Sequence, residues 1–190
     1  MRERNLTREK ALEEYLIYRV RLRELLDMGH IAKGIKCLHA PEAFSDTVGH
    51  ALIGLFASLI DRQNSALNIF DVWLVLFPEK KDRIAETWER AKPHVQLIRD
   101  FRNDIACHAN KDLRRYIETV VKFHDGQAGI VKAMQEVAKL AAELMRDETN
   151  TLPNLRSEIA AILRARFPNL GEEQLAPVVD YFMQPKRAAE

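Results

Sequence analysis

Apolar residues recur every three or four positions between residues 130 and 145, and no other pattern in the sequence restricts the fold as strongly. Steps of three, four and three repeat without a break, which places these side chains on one face of an α-helix. They are Ile130, Ala133, Met134, Val137, Leu140, Ala141, Leu144 and Met145. No run of alternating β-branched residues is long enough for a strand. The sequence therefore predicts an all-α protein.

A similar apolar stripe predicts a long amphipathic helix near the amino end, ending close to Gly29. Its members are Ala11, Tyr15, Tyr18, Leu22 and Leu25. We expect a second helix, capped by Ser45 or Asp46, to run through Ile60. Apolar residues nearly surround the axis of this second helix, so we expect it at the centre of the fold.

Prolines and glycines indicate where the middle helices end. The segment 64–77 predicts a short helix or a helical turn that ends at Pro78, because the residue before a proline disfavours helical geometry. Pro93 is expected to separate two helices within 82–105. The aspartate and glycines at 125–129 predict a turn before the next helix.

The residues after Asn150 predict two more helices, the first of which is ended by Pro168. The segment 150–153 carries Asn and Pro and is the best candidate for a boundary. We therefore expect a helical bundle over 1–150 and a C-terminal helical appendage over 151–190.

The composition limits the compartment and the partners. Of 190 residues, 29 are Lys or Arg and 28 are Asp or Glu, so binding to nucleic acid needs a local basic patch rather than a global charge. Cys37 and Cys107 are too few for a disulfide framework, which favours the reducing cytoplasm. Charged and amide residues interrupt the most apolar stretch, so we expect no membrane span.

The motifs of several common enzyme classes are absent from the sequence. It has no Gly-rich phosphate loop, no Gly-x-Ser-x-Gly elbow and no His-Glu-x-x-His pair. Cys37, His39, Cys107 and His108 are of the right types for zinc, but neither pair has Cys-x-x-Cys spacing. We interpret the cysteines as core-filling residues and expect no metal or cofactor.

Polar groups concentrate at one predicted helix end, between Arg99 and Asp112. Arg102 offers a planar cation for a phosphate, Asn103 a neutral donor and acceptor, and His108 a side chain that exchanges protons near neutral pH. On a straight helix Arg102 and His108 would be about 9 Å and roughly 120° apart. Two copies packed around a two-fold axis would bring both pairs into one cleft.

The segment Arg102-Asn-Asp-Ile-Ala-Cys-His108 resembles the Arg-x(4 to 6)-His motif of the HEPN superfamily, in which a polar residue commonly follows the arginine. The order of segments 51–77 and 99–108 is similar to the abortive-infection branch of that superfamily, and the resemblance covers about residues 6–148. It implies a four- or five-helix bundle, a homodimer and metal-independent cleavage of RNA. A toxin or antiviral role, with a neutralising antitoxin as partner, is the corresponding expectation.

The resemblance also implies roles for individual residues. His108 would act as general base or acid while the RNA 2′-hydroxyl attacks phosphorus, Arg102 would hold the phosphate, and Asn103 would orient either group.

The residues themselves suggest further contributions near this motif. Asp104 lies four residues before His108, so we expect its carboxylate to accept a hydrogen bond from the imidazole. We expect four basic side chains to add positive charge along an RNA path: Arg99, Lys111, Arg114 and Arg115.

Two alternatives assign this segment no catalytic role. In the first alternative, an ordinary surface ion-pair cluster that caps a helix is formed by Arg102, Asp104 and His108. The chain would then be a non-catalytic helical dimer that serves as an interaction or RNA-binding module.

Overall fold

The computed structural model describes residues 6–37, 42–60, 68–106 and 112–183, and the regular elements in these ranges are helices and helical turns. For residues 29–37, 42–48, 105 and 106 it describes the backbone alone. The prediction of an all-α protein is confirmed. No helix within the described ranges is both long enough and apolar enough to cross a bilayer.

Helix α1 spans Arg8–Cys37 and α2 spans Glu42–Ile60. The predicted stripe on α1 is confirmed, since all five of its members are at most 5% exposed. The predicted end near Gly29 is wrong, because α1 continues to Cys37. A single glycine costs a helix only about 1 kcal/mol, which does not stop a long one. Helix α2 begins ahead of the cap expected at Ser45 or Asp46.

Helix α3, Ile69–Leu76, is closed at its start by a reciprocal cap. The Asn68 side chain accepts from the Asp71 backbone N–H at 2.9 Å, and the Asp71 carboxylate accepts from the Asn68 N–H at 3.4 Å. A short 3₁₀ turn, Pro78–Lys80, follows, which confirms the predicted stop at Pro78. Residues 61–67, where the predicted helix began, lie outside the described residues.

Helices α4, Lys81–Ala91, and α5, Val95–Phe101, are separated by a 3₁₀ turn over Lys92–His94. Pro93 lies in the first turn of that 3₁₀ segment, where its missing N–H costs no hydrogen bond. The predicted boundary at Pro93 is confirmed.

Helix α6 runs from Leu113 to Thr151 without interruption, so the turn predicted over 125–129 is wrong. Gly126 allows close packing of α5 on α6, and Gly129 allows close packing of the 3₁₀ turn that precedes α5. A Cβ at Gly126 would lie 2.7 Å from a methyl of Leu97, and one at Gly129 would lie 2.5 Å from the imidazole of His94. These glycines make room for the neighbouring segments.

Helices α7, Leu155–Arg166, and α8, Glu172–Met183, follow a short turn, and α7 ends just before Pro168 as predicted. Their apolar faces belong to the same hydrophobic core as the earlier helices, through Leu155, Ile159, Leu163, Leu175 and Val179. The region expected to be an appendage is thus packed on the bundle.

A buried polar cluster ties α1 to α6 and α8. The Tyr15 hydroxyl donates to Glu148 Oε1 at 2.6 Å, and the Arg19 guanidinium donates both to that oxygen and, at 2.7 Å, to the backbone carbonyl of Phe182. Burial, reinforced by the Glu148 carboxylate, raises the pKa of Tyr15 well above its usual value. The phenol therefore stays protonated and acts as a donor.

Candidate functional site

Helix α5 passes directly into a π-helical turn, Arg102–Ala106, which contains three of the predicted site residues. A π turn inserts an extra residue into the helical repeat, so it changes the direction in which successive side chains point. Such turns occur often at functional sites. Two buried side chains, Phe101 and Asp104, hold this turn against its neighbours.

Phe101 is 4% exposed and anchors the start of the turn. Its ring centroid lies 5.2 Å from that of His50 on α2 and 3.9 Å from that of Phe123 on α6. Phe101 and Phe123 could not be assigned to the site from the sequence, because an isolated aromatic residue does not indicate which distant residues it will contact. His50 is a partly buried packing histidine beside the candidate site.

Asp104 is also 4% exposed and fixes the turn to α6. Its Oδ2 accepts from Arg115 Nε and from the Thr119 hydroxyl, both at 3.0 Å. A buried carboxylate needs such donors, because burying an unpaired charge costs several kcal/mol. The contact expected from His108 stays a prediction, since residues 107–111 lie outside the described residues. Sequence reasoning missed Thr119, which carries no motif.

Arg102 and Asn103 are brought together at the partly exposed side of the turn. The Nε and Nη2 groups of Arg102 both donate to Asn103 Oδ1, at 3.1 and 3.0 Å. This two-pronged contact restricts the guanidinium to one orientation beside the turn. A planar cation held in this way is suited to binding a phosphate oxygen.

The remaining predicted basic residues flank the turn and have partners of their own. Arg99 donates to Gln96 at 3.2 Å, and Arg114 donates to Glu118 at 3.0 Å. Arg115 is held by Asp104, although its side chain is 58% exposed. The Arg114 side chain is 89% exposed, so it is more accessible than Arg115 and than the partly buried Arg99. Lys111 lies outside the described residues.

The described residues contain no group of three or more His, Cys, Asp or Glu side chains placed to hold a metal ion. Of the four residues considered for zinc, His39, Cys107 and His108 lie outside the described residues, and only the backbone of Cys37 is described.

No protein-family model, curated protein or solved structure matches this chain.

Proposed function

We propose that this protein is a metal-independent endoribonuclease of the HEPN type that acts as a toxin or abortive-infection effector. The observation that carries the proposal is the pairing of Arg102 with Asn103 on the π turn, which directly precedes the segment that holds His108. The motif resemblance supplies the reaction, and the pairing supports it because an arginine fixed by its neighbour is a preorganised phosphate ligand.

The proposed reaction forms a bond between the RNA 2′-oxygen and the adjacent phosphorus and breaks the bond from that phosphorus to the 5′-oxygen. His108 takes the proton from the 2′-hydroxyl or delivers one to the departing 5′-oxygen, with water completing the exchange. Arg102 stabilises the negative charge that grows on the non-bridging phosphate oxygens. The products are a 2′,3′-cyclic phosphate and a 5′-hydroxyl.

Asp104 supports this chemistry indirectly in the proposal. Its bonds to Arg115 and Thr119 hold the π turn on α6, and this fixes where Arg102 and Asn103 stand. Asp104 is thus a positioning residue. The positive side chains of Arg99, Arg114, Arg115 and Lys111 then guide the RNA backbone past the turn.

The test uses a short RNA of defined sequence, incubated with the purified protein and excess EDTA, with products identified by mass spectrometry. We expect cyclic-phosphate ends from the wild type and at least a 100-fold slower reaction for Arg102→Ala and for His108→Ala. An RNA with a single 2′-deoxyribose at the cleaved position should resist cleavage there, because the nucleophile is missing.

Arg83→Ala is the matched control, because Arg83 lies on α4 in an exposed ion pair with Glu86. It should cleave at the wild-type rate. Intact RNA with the wild type, or undiminished cleavage by folded His108→Ala, would refute the proposal.

The second candidate function is a non-catalytic interaction module, and an exposed apolar face on α6 favours it. In that case the RNA remains intact, and Arg102→Ala changes only association. The same cleavage assay separates the two functions.

A further inference from the structure

Arg115 is held differently from the other basic residues around the π turn. Its Nε donates to Oδ2 of Asp104 at 3.0 Å, and Asp104 is only 4% exposed. Arg114, in contrast, pairs with Glu118 one turn along the same helix, and the Glu118 side chain is 52% exposed. A buried partner fixes the position of a guanidinium, whereas a pair between two exposed side chains holds its members only weakly.

The contact with Asp104 occupies only part of the Arg115 guanidinium. Within the described residues, Nη1 and Nη2 of Arg115 have no hydrogen-bond acceptor, and the side chain is 58% exposed. These two groups can donate in parallel to two oxygens of one phosphate. The backbone N–H groups of Arg114 and Arg115 already donate to the Asp112 carboxylate, so the Arg115 side chain is what remains for a ligand.

The helical repeat shows on which side of Asp104 its neighbours on the turn lie. Asp104 points across the groove between the π turn and α6. Asn103 comes one residue earlier, so its side chain points about 100° to one side of Asp104. Phe101 comes three residues earlier and points about 60° to the other side. The extra residue of the π turn changes these angles but not the sides.

The same repeat places Arg115 on α6, where Thr119 points back at the turn. Arg115 comes four residues before Thr119 and Phe123 four residues after it, so they point about 40° to opposite sides. The rings of Phe101 and Phe123 meet with their centroids 3.9 Å apart, and this contact closes one side of the groove. Asn103 and Arg115 therefore share the opposite side.

The shared side also carries the guanidinium of Arg102, because its Nε and Nη2 groups donate to Asn103 Oδ1. Two arginines are thus fixed by acceptors on consecutive residues, Asn103 and Asp104, whose Cα atoms lie about 3.8 Å apart. A nucleic acid strand carries one negative charge on each successive phosphate. Two fixed cations side by side therefore match two neighbouring phosphates of one strand.

We propose that Arg115 binds a second phosphate of the RNA strand, next to the phosphate that Arg102 binds. The identification of this strand as RNA rests on the proposed function. Asp104 then does more than hold the turn, since it also orients an arginine that touches the substrate. The shortest strand that uses both arginines has two phosphodiester linkages.

Binding of a 2′-O-methyl RNA oligonucleotide tests Arg115 without cleavage, because the blocked 2′-oxygen cannot attack phosphorus. In Arg115→Gln, the amide nitrogen takes the place of Nε and still donates to Asp104, while the Nη groups and the charge are lost. Fluorescence anisotropy should show roughly tenfold weaker binding by this variant. Its plot of log affinity against log salt concentration should be shallower by about 0.7, the value for one phosphate contact with a single strand.

Two control variants separate a phosphate contact from other causes. Thr119→Val removes the Thr119 hydrogen bond to Asp104 without changing the charge, so it should keep the salt dependence of the wild type. Arg83→Ala removes a cation from an exposed ion pair on α4 and should bind like the wild type. The proposal is overturned if the wild type does not bind, if Arg115→Gln binds like the wild type, or if Thr119→Val shows the same shallower slope.

The length of the strand tests whether the two phosphates belong to neighbouring nucleotides. A 2′-O-methyl dinucleotide has one linkage and a trinucleotide has two, and competition with the labelled oligonucleotide gives their affinities. The second linkage should strengthen binding to the wild type roughly tenfold and binding to Arg115→Gln less than roughly twofold. Equal gains for the two proteins would overturn the second phosphate contact.

These binding results do not depend on cleavage. If the wild type binds as described and leaves unmodified RNA intact, the nuclease is refuted and the second phosphate contact stands. If the wild type cleaves RNA and Arg115→Gln binds normally, only the second phosphate contact is refuted.

Discussion

Arg19→Met removes the cation from the buried cluster that joins α1, α6 and α8. Arg19 is 4% exposed and Glu148 is 7% exposed, so the substitution leaves the Glu148 carboxylate buried with Tyr15 as its remaining described donor. The Phe182 carbonyl loses its donor as well. Breaking a buried ion pair from one side typically costs about 3–5 kcal/mol, a large part of the 5–15 kcal/mol that holds a domain folded.

Urea unfolding at pH 7, followed by circular dichroism, measures this loss. At about 2 kcal/mol per molar urea, the midpoint should fall by roughly 1.5–2.5 M. Arg156→Met is the control, because the Arg156–Asp180 pair on α7 and α8 is more than half exposed on both sides. An exposed pair of this kind contributes about 0–1 kcal/mol, so the control should unfold close to the wild type.

The double variant Arg19→Met with Glu148→Gln shows whether the buried charge is the cause. The neutral amide still accepts from Tyr15 and leaves no unpaired charge, so the double variant should be at least about 2 kcal/mol more stable than the sum of the single losses predicts. A loss below about 1 kcal/mol in Arg19→Met, or additive losses, would refute the argument.

Three further predictions follow from individual contacts. Gly129→Ala places a Cβ 2.5 Å from the His94 imidazole, whereas Gly54→Ala has no atom within 4 Å of the new Cβ. Both substitutions gain about 1 kcal/mol of helix propensity, so Gly129→Ala should be about 1–3 kcal/mol less stable than Gly54→Ala in urea unfolding. Equal stabilities would contradict the packing argument. Burial raises the pKa of Tyr18 to about 12. The unfolded chain therefore releases the phenol proton from about pH 10, while the folded chain retains it. The free energy of unfolding should fall as the pH rises from 10 to 12. Tyr18→Phe should flatten that fall by about 1 kcal/mol per pH unit and leave its slope below pH 9 unchanged, and an unaltered slope above pH 10 would count against the shift. Asp104→Asn weakens the hydrogen bonds from Arg115 and Thr119 and should lower the free energy of unfolding by about 1–3 kcal/mol. Hydrogen exchange followed by mass spectrometry should then show faster exchange of the amides in 102–106. Unchanged exchange there would show that Asp104 does not hold the π turn.

Parts of the candidate site could be predicted from the sequence, since the types and spacing of Arg102 and Asn103 were visible there. Their mutual hydrogen bonds are local and join adjacent residues. The partners of Asp104 could not be predicted, because Arg115 and Thr119 are 11 and 15 residues away and belong to another helix. A carboxylate in the sequence does not show which distant donor will reach it.

Local sequence by itself determined the helical class, the buried stripe of α1, the end of α3 before Pro78 and the break at Pro93. Each of these depends on side chains or backbone groups within about four residues, the range over which helical hydrogen bonds and caps act. Only the tertiary structure decided that α6 continues through Gly126 and Gly129, because Leu97 of α5 and His94 of the preceding 3₁₀ turn pack into the space those glycines leave. It also decided that Tyr15 meets Glu148, 133 residues later, since the packing of whole helices sets which buried groups become neighbours.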